Sequence, residues 1–291
     1  MAADLDHARI VEALTESHEQ RLYTIMRELE ERIADLAMQA PLRDGDMFDL
    51  VWAINARTDV EQIMRETYLT EIDSQIRDYR EIVDSMTDML NEYGDFTGVA
   101  AETVEALQRV AFYGYQDIAS TFSNDLANEL YHSALTGRPL AESVRNLRLK
   151  INGVYMASDQ DEIDRLVELA EAGDEEAVRT LHRVYAADRT GNNMRRYARQ
   201  MIVDSIMQFD AAVNVAAARE IGSTHWRYYG TIVDDSRDFC VRHVNEVWTE
   251  DEIRETWAET AWQGKADGDP FIVRGGYQCR HHFRPVFDEE L

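Results

Sequence analysis

The chain has 291 residues, 45% of them hydrophobic, which is enough for one large domain or two smaller ones with a buried core and too apolar for wholesale disorder. Its 56 acidic and 30 basic residues leave a formal net charge of -26, which repels nucleic acid at long range and disfavours DNA binding by the chain as a whole. Only two cysteines, Cys240 and Cys279, are present, so a disulfide-rich secreted scaffold is excluded.

Met1 to Glu12 carries acids and no apolar signal core, and no run reaches the ~20 consecutive apolar residues of a bilayer span, so a soluble protein is expected. The four prolines, Pro41, Pro139, Pro270 and Pro285, leave long intervals open to helix. The spacing predicts a first helix over residues 4–40. Ile10, Leu14, Leu22, Ile25, Leu29, Ile33 and Leu36 recur at threes and fours, with one gap of eight. A short helix over 47–56 follows. Thr58 and Glu61 then have the spacing of a capping box, which opens a helix carrying Ile63, Tyr68, Ile72, Ile76, Tyr79, Val83, Met86 and Leu90 towards a stop at Gly94. Further helices are expected over 100–135, to about 150, over 158–173 and 174–187, and over 193–221 with Gly222 as the stop.

The texture changes after Gly222. His225 to Val233 is aromatic and β-branched, as strands are. Thr249 with Glu252 marks a helix to about 262, Phe271-Ile272-Val273 reads as a strand, and 283–287 as a last strand that Pro285 confines to an edge. The expected fold class is mainly α: long amphipathic helices forming an elongated bundle, with a small α+β C-terminal module. The expected division is 1–150, an elongated helical region; 151–222, a helical region leading into the tail; and 223–291, the small module.

Chemistry concentrates in that module. Cys240 with His243, and Cys279 with His282 and the adjacent His281, form two short Cys/His pairs. Thiolate and imidazole are the donors a structural zinc takes, and four such groups complete its tetrahedron. The alternatives are two buried free thiols, or a Cys240–Cys279 disulfide, which a reducing cytoplasm disfavours. The segment from Arg274 to Pro285 is locally basic; its arginines suit a turn paired to neighbouring acids, then a protein interface, then nucleic acid. Asp234, Asp235, Asp238 and the histidines also have the composition of a metal-hydrolase cluster, although no metalloprotease, nucleophile-elbow or P-loop motif is present.

Asp235-Ser236-Arg237, then Cys240, then Val247-Trp248, followed by Gly275-Gly276-Tyr277-Gln278-Cys279-Arg280-His281 and Arg284-Pro285-Val286, resembles the C-terminal signature of the phage Mu F-like head morphogenesis proteins. The resemblance covers about the last half of the chain and is sharp only after residue 230. It implies a minor structural head protein of a tailed bacteriophage, located in the virion head after assembly in the host cytoplasm. Such a protein acts in procapsid assembly, with the portal protein, the major capsid protein or the scaffold as partners, and with self-association and weak DNA contact as further options. It implies no catalytic residues and no cofactor beyond a possible structural zinc. Asp235, Arg237, Gly275, Gly276, Arg280 and Arg284 are its motif or interface residues. Two other readings compete: a metal-dependent nuclease or hydrolase using the Cys/His cluster, and an internal DNA-associated ejection protein.

Overall fold

A computed structural model of the chain describes residues 2–153, 193–234, 236–263, 265, 268–276 and 279–291. The helices expected over 158–173 and 174–187 lie outside the described residues, as does Asp235. The fold is mainly α, as the periodicity predicts, with a small sheet in the C-terminal segment.

The first helix, α1, covers Ala2–Met38, and a two-stranded hairpin follows, β1 (Leu42–Arg43) with β2 (Met47–Phe48). Helix α2 (Leu50–Met64) continues through a π-helical turn, Arg65–Leu69, into α3 (Thr70–Asp78) and α4 (Arg80–Asn91). Then come α5 (Ala101–Thr136), α6 (Leu140–Asn152) and α7 (Met194–Ile221). The C-terminal segment holds β3 (His225–Gly230), α8 (Asp238–His243), β4 (Val247–Thr249), α9 (Glu250–Glu259), the single turn α10 (Pro270–Val273) and β5 (His281–Pro285).

Two of the differences from expectation have a local reason. Thr58 does not start a helix: Asp49 caps α2 by accepting from the Trp52 backbone N–H at 2.9 Å, so Thr58 is an interior residue. Phe271 to Val273 is helical, because Asp269 caps the turn through the Phe271 N–H and Pro270 occupies the first helical position. Helix α7 is long and apolar enough to cross a membrane by length and composition, but 61% of that stretch is buried within the fold. The capping box at Thr249 and Glu252 is present as expected.

The gap of eight in the α1 stripe is filled by a buried polar residue, His18, which stacks on Tyr79 and meets Asp78. Asp4 and His7 extend the same buried face towards the N-terminus. A stripe drawn from apolar residues alone misses all three.

Two compact units make up the chain, and neither is a continuous stretch. One comprises Leu22–Leu69 and Asp117–Ala198. Its core includes Leu22, Met26, Leu29 and Ile33 of α1 with Leu126 and Leu130 of α5, and Arg32 donates to Thr67 at 2.6 Å. The other comprises Met1–Arg21, Thr70–Gln116 and Arg199–Leu291, and it contains the whole Cys/His segment.

In this second unit the strand order is β4-β3-β5, all antiparallel, with Trp226 opposite Trp248 and Pro285, Tyr228 opposite Phe283, Tyr229 opposite His282, and Gly230 opposite His281. β5 is an edge strand, where Pro285 is tolerated. One face of β3, with Trp226 and Tyr228, packs into an aromatic core with Phe239, Ile253, Trp257, Phe271 and Phe283. The other face carries Tyr229 and His282, which stack on each other against His7 of α1.

Candidate metal centre

The short helix α8 presents Cys240, and the turn after α10 presents Cys279 at the entry to β5. Their sulfurs lie 3.9 Å apart, and both thiols are buried. His281, two residues on, turns to the same face of β5, and its Nδ1 is 3.7 Å from the Cys279 sulfur. The three donor atoms all lie within 4.8 Å of one another. A zinc ion with Zn–S of about 2.3 Å and Zn–N of about 2.0–2.1 Å places two sulfurs about 3.8 Å apart, and sulfur and nitrogen about 3.5 Å apart, along the edges of its tetrahedron. Two thiols and an imidazole at these separations fit a soft or borderline metal ion, and Cys240, Cys279 and His281 are the residues that would hold it.

The surroundings suit thiolate chemistry. The Gly275 N–H donates to the Cys279 sulfur at 3.3 Å, and the Tyr228 hydroxyl lies 3.4 Å from each sulfur. A hydrogen bond from Cys240 holds the Cys279 thiol well below its ordinary pKa against burial, with help from His281 and the nearby Arg274 charge. Cys240 moves the other way: sharing its hydrogen with Cys279, together with burial, pushes its pKa up. Gly275 is required here, because a Cβ at this position would sit 2.4 Å from the Cys240 sulfur and 2.8 Å from that of Cys279.

The other two histidines in the expected ligand set are placed elsewhere. Successive residues of a strand face opposite sides, so a β5 that starts at His281 sends His281 to the cysteine face and His282 to the other. There His282 Nδ1 meets Asp210 of α7 at 2.6 Å, while His7 Nε2 meets the second carboxylate oxygen at 2.8 Å and His7 Nδ1 meets Ser85. Burial would push Asp210 up, but the two imidazoles hold it well below the usual carboxylate range. Burial keeps His282 below the ordinary histidine value despite Asp210. His243 ends α8 with its Nδ1 2.6 Å from Glu246, and its ring packs against Phe239 and Trp248. The two Cys/His pairs therefore do not supply the four-donor set their spacing suggests. Three donors converge, and the His281 that the spacing placed as an extra is one of them.

The remaining motif residues divide between burial and surface. Arg284 is 1% exposed and bonds Asp4 at 2.8 Å and Glu290 at 2.6 Å, with its guanidinium 4.0 Å from the Tyr93 ring centroid. Arg280 is exposed and pairs with Glu12 at 2.6 Å. Gly276, with φ +103°, closes the turn by accepting from the Cys279 N–H at 3.0 Å. Arg237 precedes α8 and lines an open cleft of about 970 Å³, to whose wall Cys240, Cys279 and His281 also contribute. Sequence reasoning missed Asp4, His7, Asp210 and Tyr228; the first two carry a signal, since they continue the threes-and-fours spacing of α1.

No family model, no curated protein and no solved structure compared with the chain matches it.

Proposed function

We propose that this chain is a virion assembly protein, a minor structural head protein of a tailed bacteriophage that acts in procapsid assembly by docking at the portal or capsid interior, and that it is not an enzyme. One observation carries the reading: the residues that resemble the head-morphogenesis signature serve as scaffolding. Gly275, Gly276 and Cys279 build the turn around the paired sulfurs, and Arg284 is consumed in a buried ion pair. A signature spent on holding the fold suits a family defined by a docking module better than one defined by a reaction. Zinc at Cys240, Cys279 and His281 is the structural cofactor of this reading. It would fasten α8 to β5.

The partners are the portal protein and the major capsid or scaffold protein, and the place of action is the virion head. The test is to purify heads assembled in the presence of the tagged full chain and measure by mass spectrometry whether it is present. A fixed low copy number, with co-purification of portal or capsid subunits, is expected. Heads that assemble normally without incorporating the chain overturn the reading. A hydrolase is the second reading, favoured by the open cleft beside the cluster, and it predicts metal-dependent phosphodiester cleavage by the purified chain.

A further inference from the structure

Among the described residues the candidate metal centre has three donors, and a tetrahedral ion takes four. Among the described residues, the two other histidines expected in the set are otherwise engaged. His243 is held by Glu246, and His282 is on the opposite face of β5, held by Asp210. The Tyr228 hydroxyl lies 3.4 Å from each sulfur, within hydrogen-bonding reach of both thiols. Gly275 closes one side of the sulfur pair with its backbone. The open cleft of about 970 Å³ is lined in part by all three residues.

We infer that Cys240, Cys279 and His281 form an open metal site whose fourth position faces the cleft and exchanges a water for an external nitrogen donor of the imidazole class. A site closed by four protein ligands exchanges nothing, whereas one with three keeps a position for an outside ligand while the ion still ties α8 to β5. A borderline-soft ion held by two thiolates and one imidazole accepts a further nitrogen readily. The cleft rim is mixed in charge: Arg237 and Arg242 line it beside Asp234 and Asp238, while Arg280 pairs with Glu12 and Arg199 with Glu19. This inference rests on the cluster holding a metal and is independent of any place in a phage head.

The experiment is cobalt(II) substitution of the full-length protein, read by absorption spectroscopy, followed by titration with imidazole. One cobalt per chain is expected, with a sulfur-to-cobalt charge-transfer band and tetrahedral d–d bands. Imidazole is expected to shift the d–d bands saturably while the charge-transfer band persists. Cobalt bound with d–d bands that imidazole does not move would show a closed site and overturn the open position. Absence of a charge-transfer band would overturn the metal site itself. His243→Gln is expected to reproduce the wild-type spectra, and His281→Gln to lose or strongly alter the d–d bands. A His243→Gln protein that loses cobalt, or a His281→Gln protein with wild-type spectra, overturns the ligand assignment. Failure of head incorporation leaves all of these outcomes unchanged.

Discussion

Arg284 and Asp4 meet at 2.8 Å from opposite ends of the described chain, with side chains 1% and 2% exposed. Removing the guanidinium leaves a buried carboxylate without its charge partner, which costs about 3–5 kcal/mol. Arg284→Met is therefore expected to lower the urea midpoint strongly. Arg280→Met, which breaks only the exposed pair with Glu12, is expected to change stability by less than about 1 kcal/mol. Equal effects from the two variants would remove the buried pair from the account.

Acidification tests His18. Burial pushes its imidazole down from 6.5 to about 4, against the hydrogen bond with Asp78. Between those values the unfolded chain binds a proton that the folded chain refuses, so stability is full above 6.5 and falls as pH drops through the window. The loss between pH 7 and pH 5 amounts to about 2 kcal/mol for this group. His18→Leu is expected to flatten that part of the stability–pH curve, measured by denaturant unfolding at both pH values. A variant curve parallel to wild type would show that His18 does not carry the dependence.

Two threonines in the same sequence context separate a real helix start from an apparent one. Thr249→Ala removes a capping box and is expected to cost about 1 kcal/mol. Thr58→Ala sits inside α2 and is expected to lie within about 0.5 kcal/mol of wild type. Thermal unfolding of both variants decides it.

Gly275→Ala drives a methyl group against both sulfurs, at 2.4 and 2.8 Å. Overpacking of this kind costs about 1–3 kcal/mol, and here it also displaces the donors. Loss of metal uptake together with a lowered melting temperature is expected. An alanine variant that retains stoichiometric metal would mean the sulfurs are free to move apart.

The long helices were legible because a helical stripe is a local property that repeats over many turns. Asp49 as the start of α2 and the helical turn at Phe271 were not, because a single cap outweighs the pattern that follows it. The candidate site was legible in its composition, and the expected set is wider than the three residues that converge, Cys240, Cys279 and His281. Cys279, His281 and His282 are neighbours in sequence, and which imidazole faces sulfur depends on the residue at which β5 begins. With the strand read from residue 283, both histidines remain available; with it read from 281, alternation separates them. The buried partners of His282 lie on α1 and α7, and no sequence spacing brings Asp210 and His7 to the same carboxylate bridge.

The interleaving of the two units has a consequence for biosynthesis. Asp4 and His7 are translated well ahead of Asp210, His282 and Arg284, which emerge only after the segment that completes the other unit has been made. At bacterial-to-eukaryotic elongation rates of about 5–20 residues per second, the nascent α1 waits roughly ten seconds or more for its charge partners. During that interval its buried face is exposed to water, and to any chaperone that recognises it. Of the two units, the one bearing the candidate metal centre is thus the later to close during translation, even though α1 is made ahead of the other unit's last segment.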